Sequence, residues 1–557
     1  MGMAALRLAV VLSTALGIPA PGGAGGPPGP EEVRARVDAY LAPLVEAGLF
    51  SGAVLLARGG EVAVEKAWGQ ADAAAEVPNT PATRFKLMSV SKSITAVAVM
   101  RLVQAGRLDL ADPVRKSLER WPAPWKGVTV HHLLDHTSGI PNVEGEWTSE
   151  ENAGPERGLE VWKRLAPRLA DRPLETAAGT RSAYSNFNYV LVGLVLEAAG
   201  GRPYPEVLRR EVLEPAGMAL TGLDDGSRRP GLSVGCFRRN GVAVPGNQDM
   251  SRIQAAGGIF STVGDLWRLD RALRGEALLR SATREAMLTP TPPGGSYACG
   301  WMVSPIAGRP CVHHSGGANG YVAEFFRFPE DDGCVVVLSN FAFAPITRIG
   351  EDLAAILFGM ECAAPLRLPA AALDAAVGVY RSPGAAAPCF VLRRSGPVLS
   401  IHQVFEAYGT CLSELALPVG ADPLVLPWGR DRLRLVPPEG GRGAGLRLEH
   451  ENGAMSLDRV PFPAAPWRGA AGEYRMGPGP GGAARIEEGR DGLLLALPGL
   501  PDPLSLVPLT DSLALALDPS DFGTLLALDR DPGGRAVRFR WTRRPGDVVE
   551  GVRAGGR

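Results

Sequence analysis

Ser89-Val90-Ser91-Lys92 sets a hydroxyl and an amine three residues apart, just after Phe85-Lys86-Leu87-Met88 and ahead of a helical apolar pattern over residues 93–105. Side chains at i and i+3 share one face of a helix, so the lysine amine can reach the serine oxygen. A base so placed turns an inert alcohol into a nucleophile. Six of the 58 basic residues are lysine, the other 52 are arginine, and no lysine follows Lys163. Arginine keeps its proton in a protein whereas a desolvated lysine can release it, so a lysine at this point of an arginine-rich chain points to a deprotonation. Alone, the pattern constrains two positions, and a solvated Lys92 on a helix surface is the plain alternative.

Two further polar clusters accompany it. Tyr184-Ser185-Asn186 follows Ala178-Gly179-Thr180 and opens the apolar run 189–196, a buried-helix pattern. His314-Ser315-Gly316-Gly317 closes a short strand-like segment, Cys311-Val312-His313, and leads through Gly320 into a second one at 322–328. The order Ser-x-x-Lys, Tyr-x-Asn, His-Ser-Gly resembles the serine-reactive penicillin-recognising superfamily, with its Ser-x-x-Lys, Ser-Asp-Asn and Lys-Thr-Gly motifs. Tyrosine in the second motif and histidine in the third make it most similar to the branch of class C β-lactamases, D-alanyl-D-alanine carboxypeptidases and esterases. Leu133-Leu134-Asp135-His136-Thr137-Ser138-Gly139-Ile140-Pro141, Glu214-Pro215-Ala216-Gly217-Met218, Ala256-Gly257-Gly258-Ile259-Phe260-Ser261-Thr262 with Asp265, and Tyr297-Ala298-Cys299-Gly300-Trp301 resemble further segments of that branch, so the resemblance covers roughly residues 35–360.

The resemblance implies a division of labour. Ser89 would attack a carbonyl to give an acyl-enzyme, helped by the free N–H groups and positive dipole end of a helix start. Lys92 and Tyr184 are the two candidate bases, with the order of proton transfer open. Asn186 would hold Lys92 and the substrate amide. His314, Ser315 and Gly316 would line the opposite wall on an edge strand to which an extended substrate adds its backbone. The N–H groups of Ser89 and Gly317 would form the oxyanion hole, with small residues at 316 and 317 permitting close approach. Adjacent strand residues face opposite sides, and the motif register selects His314 over His313. A histidine where the family writes lysine supplies a weaker, pH-dependent positive charge. It would bind a substrate carboxylate best below its unperturbed pKa of ~6.5, and it favours a peptidase or esterase over an efficient β-lactamase. No metal or organic cofactor is expected: His132 and His136 are i, i+4, but no His-Glu-x-x-His accompanies them. The Gly-rich stretches at 21–26 and 440–445 lack the Lys-Ser/Thr of a phosphate loop.

A net charge of −1 over 557 residues leaves no basic footprint for nucleic acid. Arg7, the ten-residue apolar run 8–17 and the small residues after it read as a signal peptide over 1–24, followed by a linker over 25–34. The run is too short to span a bilayer, so the chain is expected to be secreted or periplasmic without a transmembrane anchor. Seven cysteines without a Cys-x-x-Cys leave Cys389–Cys411, Cys299–Cys311 or buried free thiols open.

Segments 52–58 and 61–65, joined by Gly59-Gly60, read as a hairpin, and 322–328 and 334–338 as strands near the other end of the region. The expected fold is α+β: a β-lactamase/transpeptidase-like domain over 35–365, with a sheet built from both ends of the region and helices between. After Leu366-Arg367-Leu368-Pro369 the pattern turns to short alternating runs, and Ala376-Val377-Gly378-Val379-Tyr380-Arg381 recurs as Ala470-Ala471-Gly472-Glu473-Tyr474-Arg475. Two β-rich units, 370–462 and 465–557, similar to lipocalin-like barrels, are expected there. The whole reads as an exported serine hydrolase cleaving an amide or ester of a small molecule or peptide. A β-lactamase or D-Ala-D-Ala carboxypeptidase is the alternative within the family, and a non-catalytic scaffold on the same fold is the alternative outside it. The sequence sets no oligomeric state.

Overall fold

The computed structural model describes residues 28–144 and 159–381 apart from 228, 240–241, 246–248, 293–294 and 319, and beyond these mainly the strands between 389 and 553. The expected leader over 1–24 lies outside the described residues. The linker expected over 25–34 is corrected at its end, because helix α1 spans Pro30–Glu46. Proline at its start and Glu31 and Glu32 in its first turn suit a helix N-terminus. Val33, Val37, Tyr40, Leu41 and Leu44 form its buried stripe.

Strands β1 (Gly52–Arg58), β2 (Glu61–Trp68), β3 (Met302–Ile306), β4 (Arg309–Ala318), β5 (Tyr321–Phe328) and β6 (Gly333–Ser339) form one antiparallel sheet in the order β3-β4-β5-β6-β1-β2. The two ends of the region meet at its centre, where β1 pairs with β6 from Gly52↔Ser339 to Arg58↔Gly333. The β1–β2 hairpin turns at Gly59 and Gly60, both at positive φ (60° and 78°), where a side chain would be strained.

Central strands must be apolar on both faces because both are covered. Ala53, Leu55 and Ala57 belong to a core shared with the helices α2 (Ser91–Gln104), α3 (Asn186–Gly200) and α4 (Val263–Arg274). Val54 and Leu56 point the other way, into a core shared with α1 and α5 (Ile346–Leu357). Arg327 on β5 and Asp270 on α4 form an ion pair at 2.9 Å with both side chains 1% exposed, and Arg274 adds a second contact to Asp270 at 2.7 Å. Such a pair ties helix to sheet at one register, and removing one partner would leave a buried charge uncompensated.

The C-terminal region is strand-rich: a nine-stranded antiparallel sheet over 378–460 and a closed eight-stranded barrel over 472–553. In each, the first strand pairs with both the second and the last. Tyr380 donates to Ala376 O at 2.7 Å, and Tyr474 donates to Ala470 O at 2.5 Å, so the recurring hexapeptide occupies the same position in both. Cys299 and Cys311 are separate thiols, which removes that pairing, and Cys389 and Cys411 lie on strands separated by the one that carries Val404, too far apart to bridge. No helix among the described residues is long and apolar enough to cross a membrane.

Val398 of the nine-stranded sheet and Leu417, just past one of its strands, pack into the α1/α5 core, and Leu366 N–H donates to Pro418 O at 2.7 Å. Full burial of a Val or Leu side chain contributes about 1.5–3 kcal/mol, small beside a core of this size. A chain ending at Ala364 is therefore expected to stay folded and melt a few degrees lower in a circular-dichroism scan. Aggregation or a lost near-ultraviolet signal would show instead that the strand-rich region completes the core.

Candidate active site

A short strand, Phe85–Lys86, pairs with Ile259–Ser261. Lys86 is anchored there by Asp224, Nζ to Oδ2 at 2.7 Å and both buried. Asp224 Oδ2 also accepts from Met250 N–H at 3.0 Å, which closes this support. The chain then enters a 3-10 turn, Met88–Val90, through Met88 at φ 50°. A left-handed methionine costs about 1–2 kcal/mol, and strain of this kind holds where packing over-determines it; Met88 is 1% exposed.

Helix α2 follows at once. It is buried all round, with residues 91–100 and Leu102 inside the core, and its polar groups are individually satisfied. Ser91 Oγ accepts from Ile259 N–H (3.1 Å), Ser93 Oγ donates to Gly300 O (2.6 Å), and Thr95 Oγ1 donates to Ala255 O (2.8 Å). Lys92 has no route to solvent from such a helix and is 0% exposed.

Its Nζ lies 2.7 Å from Ala256 O, 2.8 Å from Asn186 Oδ1 and 3.1 Å from Ser89 Oγ. The first two partners can only accept, whereas a hydroxyl can also donate. A neutral amine therefore spends its two hydrogens on Ala256 and Asn186 and turns its lone pair to Ser89. Burial pulls the amine down to about 7, opposed by the Glu144 carboxylate.

Asn186 opens α3 directly after Ser185, which is extended (φ −145°). Its oxygen is taken by Lys92, and its Nδ2 donates to Glu144 Oε2 at 3.0 Å. Tyr184 lies over Lys92, its ring centroid 4.9 Å from Nζ. The residue is 52% exposed. Burial of its hydroxyl nonetheless pushes it up to about 12, a hydrogen bond with Ser89 draws it down, and Glu144 raises it.

The segment around His136 explains the loop that presents Tyr184. Ala183 N–H donates to His136 O (2.9 Å), Gly179 N–H to Thr137 O (2.8 Å), and Ser138 Oγ to Asn188 Oδ1 (2.8 Å). The His136 ring lies tilted against Tyr184 and Tyr297, with centroids 4.4 and 4.8 Å away, and Ser185 N–H donates to its Nδ1 at 3.3 Å. Burial, with the charges of Lys92 and His314, holds it well below the usual imidazole range. His132 caps its own helix through Thr129, so these two histidines serve the scaffold.

Strand β4 forms the facing wall. A Cβ on Gly316 would lie 2.2 Å from Leu87 O and 3.0 Å from Ser89 N, so glycine is required for β4 to touch the serine turn. Gly317 meets only Val322, at 3.6 Å, and its smallness is not demanded by contact. In sheet order β4 is second, but its pairing with β3 ends at Met302↔His313. Among the described residues no strand pairs with that side of β4 from His314 to Ala318. Ser315 and Gly317 are exposed along it.

His314 departs from expectation. It is 3% exposed, its Nδ1 lies 2.6 Å from Ser315 O, and its Nε2 lies 2.9 Å from Tyr297 Oη. A carbonyl only accepts, so Nδ1 carries the hydrogen and Nε2 accepts from the tyrosine. Burial, then the charge of Lys92, pushes the ring down to about 3 against that Ser315 bond. The pH-dependent cation anticipated for the third motif is a neutral hydrogen-bonding wall. His313 faces away, 2.8 Å from Ser304 Oγ and edge-on to Phe326.

Ser89, Lys92, Tyr184, Asn186 and Gly316 thus converge, with His314 joined through Tyr297. Glu144 went unnoticed in the sequence because Asn142-Val143-Glu144 belongs to no motif. Tyr297 and His136 lie in segments that resemble the family, but their sequence context showed no place for them in the catalytic site.

A hydroxyl backed by a desolvated amine, across from an open strand edge, is the equipment of acyl transfer to serine. Residues 34–356, more than half of the chain, match the beta-lactamase family model, and the chain belongs to the beta-lactamase family. It is a serine hydrolase of that family. It is 28% identical over 333 residues to penicillin-binding protein 4* of Bacillus subtilis, which covers 55% of this chain and 72% of that one. Esterase EstB of Burkholderia gladioli is 37% identical over 202 residues, 34% of this chain and 51% of the esterase, so the match spans about half of that relative. The octameric penicillin-binding protein homologue from Pyrococcus abyssi superposes with a TM-score of 0.55 at 26% identity, over 76% of this chain and 99% of that one.

Two measurements check this geometry. Nitrogen-15 spectra of the His314 ring are expected to show the Nδ1–H tautomer with no titration between about pH 5 and 8, where a free histidine would change charge. Gly316→Ala is expected to push β4 from the serine turn and to lower stability by about 1–3 kcal/mol, as overpacking does; an unchanged melting curve would refute the close approach.

Proposed function

We propose that the protein hydrolyses an ester or amide through an acyl-enzyme on Ser89, with Lys92 as the first base. The observation that carries this reading is the Lys92 amine, 3.1 Å from Ser89 Oγ and held at about 7 by burial. Tyr184, at about 12, keeps its proton at neutral pH, which favours the lysine for the first transfer. In the proposed sequence Lys92 takes the Ser89 proton while Oγ attacks the carbonyl carbon. The N–H groups of Ser89 and Gly317 receive the oxyanion. Tyr184 passes its proton to the leaving group and is resupplied by Lys92 with the proton taken from Ser89, and water then releases the acyl group with the same residues acting in reverse.

Export fits this reading: with residues 1–24 as a leader, the enzyme would act on small esters, amides or peptides outside the cytoplasm. The buried, neutral His314 favours esters and amides over β-lactams and D-Ala-D-Ala peptides, because it offers no cation to their carboxylate.

A panel of nitrocefin, a p-nitrophenyl ester, a D-amino-acid amide and a D-Ala-D-Ala peptide separates these substrates, with Ser89→Ala as the baseline. Lys92→Arg keeps the charge but loses the base, and is expected to lower kcat by at least about 10³. Activity within tenfold of the native enzyme would reduce Lys92 to an electrostatic neighbour. In the native enzyme kcat/KM should be low while Lys92 is protonated and should rise with pH through about 7. A profile flat from acid to neutral pH would exclude the lysine as base.

A further inference from the structure

Glu144 is joined to the reacting groups by a chain of hydrogen bonds. Its Oε2 is 3.0 Å from Asn186 Nδ2, and Asn186 Oδ1 is 2.8 Å from Lys92 Nζ. Its charge is felt at two further atoms of the site, raising both the Lys92 amine and the Tyr184 hydroxyl. Across the pocket, at the third-motif position, stands His314, whose two nitrogens are committed to Ser315 O and Tyr297 Oη. One wall therefore carries a negative charge, and the opposite wall carries a neutral ring.

We propose that Glu144 makes this site select against substrates bearing a carboxylate near the scissile bond and in favour of uncharged esters and amides. The inference rests on the acyl-transfer reading above and names the substrate class of that same site. A substrate group that sits against Asn186 meets Glu144 one hydrogen bond further on. Glu144 is partly buried, so its field on a neighbouring charge is screened less than that of a surface carboxylate. A like charge within a few ångströms in such surroundings is worth about a tenfold change in affinity or more. A neutral acyl chain suffers no such penalty.

The test uses the full chain and two p-nitrophenyl esters of equal acyl length, the butyrate and the hemisuccinate, which differ by a terminal carboxylate. The native enzyme is expected to prefer the butyrate in kcat/KM by at least about tenfold beyond their difference in spontaneous hydrolysis. Glu144→Gln removes the charge and keeps an oxygen for Asn186. It should lower that preference by about tenfold, through KM for the hemisuccinate. Glu144→Asp retains the charge and should retain the preference. Added salt should narrow the gap in the native enzyme and leave the Gln variant unmoved.

A second readout guards against a merely structural role. Lys92 is faced by Glu144, by the rings of Tyr184 and Tyr189 at 4.9 and 5.8 Å, and by the neutral His136 and His314. Glu144 opposes the fall of Lys92, so its removal should move the acid limb of kcat/KM to lower pH for both esters alike. Equal use of the two esters by the native enzyme, or an unchanged preference in Glu144→Gln, overturns the inference and leaves the hydrolase reading standing. Hydrolysis of neither ester, with no labelling of Ser89 by a fluorophosphonate, fails the hydrolase reading first, and the inference falls with it.

Discussion

The desolvation of one lysine governs the site. In water an amine binds its proton too tightly to serve as a base near neutrality. Buried without an adjacent counter-ion it gives the proton up, and Lys92 is held at about 7 on this account. A helix exposed on one face would let a lysine side chain snorkel to solvent. Helix α2 is closed on every side, by α3, by the Ala255–Ala256 turn and by the sheet. The acceptors offered to Lys92 are neutral, an asparagine oxygen and a backbone carbonyl, and the carboxylate of Glu144 is kept one residue away behind Asn186. Direct contact with Glu144 would favour the protonated form.

Long-range architecture supplies that environment. The sheet closes by pairing β1 with β6, segments nearly three hundred residues apart in sequence, and its two apolar faces receive a helical layer each. Only then does β4 lie beside the turn at Met88, near enough that Gly316 has no room for a side chain. The strain at Met88 and the contact at Gly316 act on the same few atoms. One shapes the turn through which Ser89 enters the helix, and the other presses a strand edge against it.

Around these atoms the polar groups are largely neutral. His136 and His314 are both held uncharged by burial and by Lys92 itself, and the tyrosines keep their protons. The family includes penicillin-binding proteins and an esterase among the relatives of this chain, and one scaffold serves several acyl substrates because the reacting groups are separate from the walls that sort them. In this chain the walls are a neutral histidine, a half-exposed tyrosine and a carboxylate behind an asparagine.

Much of this was legible in the sequence, and the reason is locality. The serine–lysine spacing works through one helical turn, the strands through a two-residue period, and the recurring Val-Tyr-Arg and Glu-Tyr-Arg segments through a tyrosine hydrogen bond to the carbonyl four residues back. The start of α1 was legible too: Pro30, Glu31 and Glu32 form a helix-start signal that the preceding Gly-Pro run obscured. Other features had no local trace. His314 looked like a cation because its residue type is one; its neutrality comes from burial beside Lys92, from Tyr297 and from its neighbour's carbonyl. Glu144 entered the site because a loop after Pro141 folds against the start of α3. Among the described residues β4 is unpaired on one side past His313 because its pairing with β3 ends at Met302. Local spacing could name the reacting groups, whereas their charge states and company depend on desolvation and contacts between distant segments, quantities that exist only once the chain has closed.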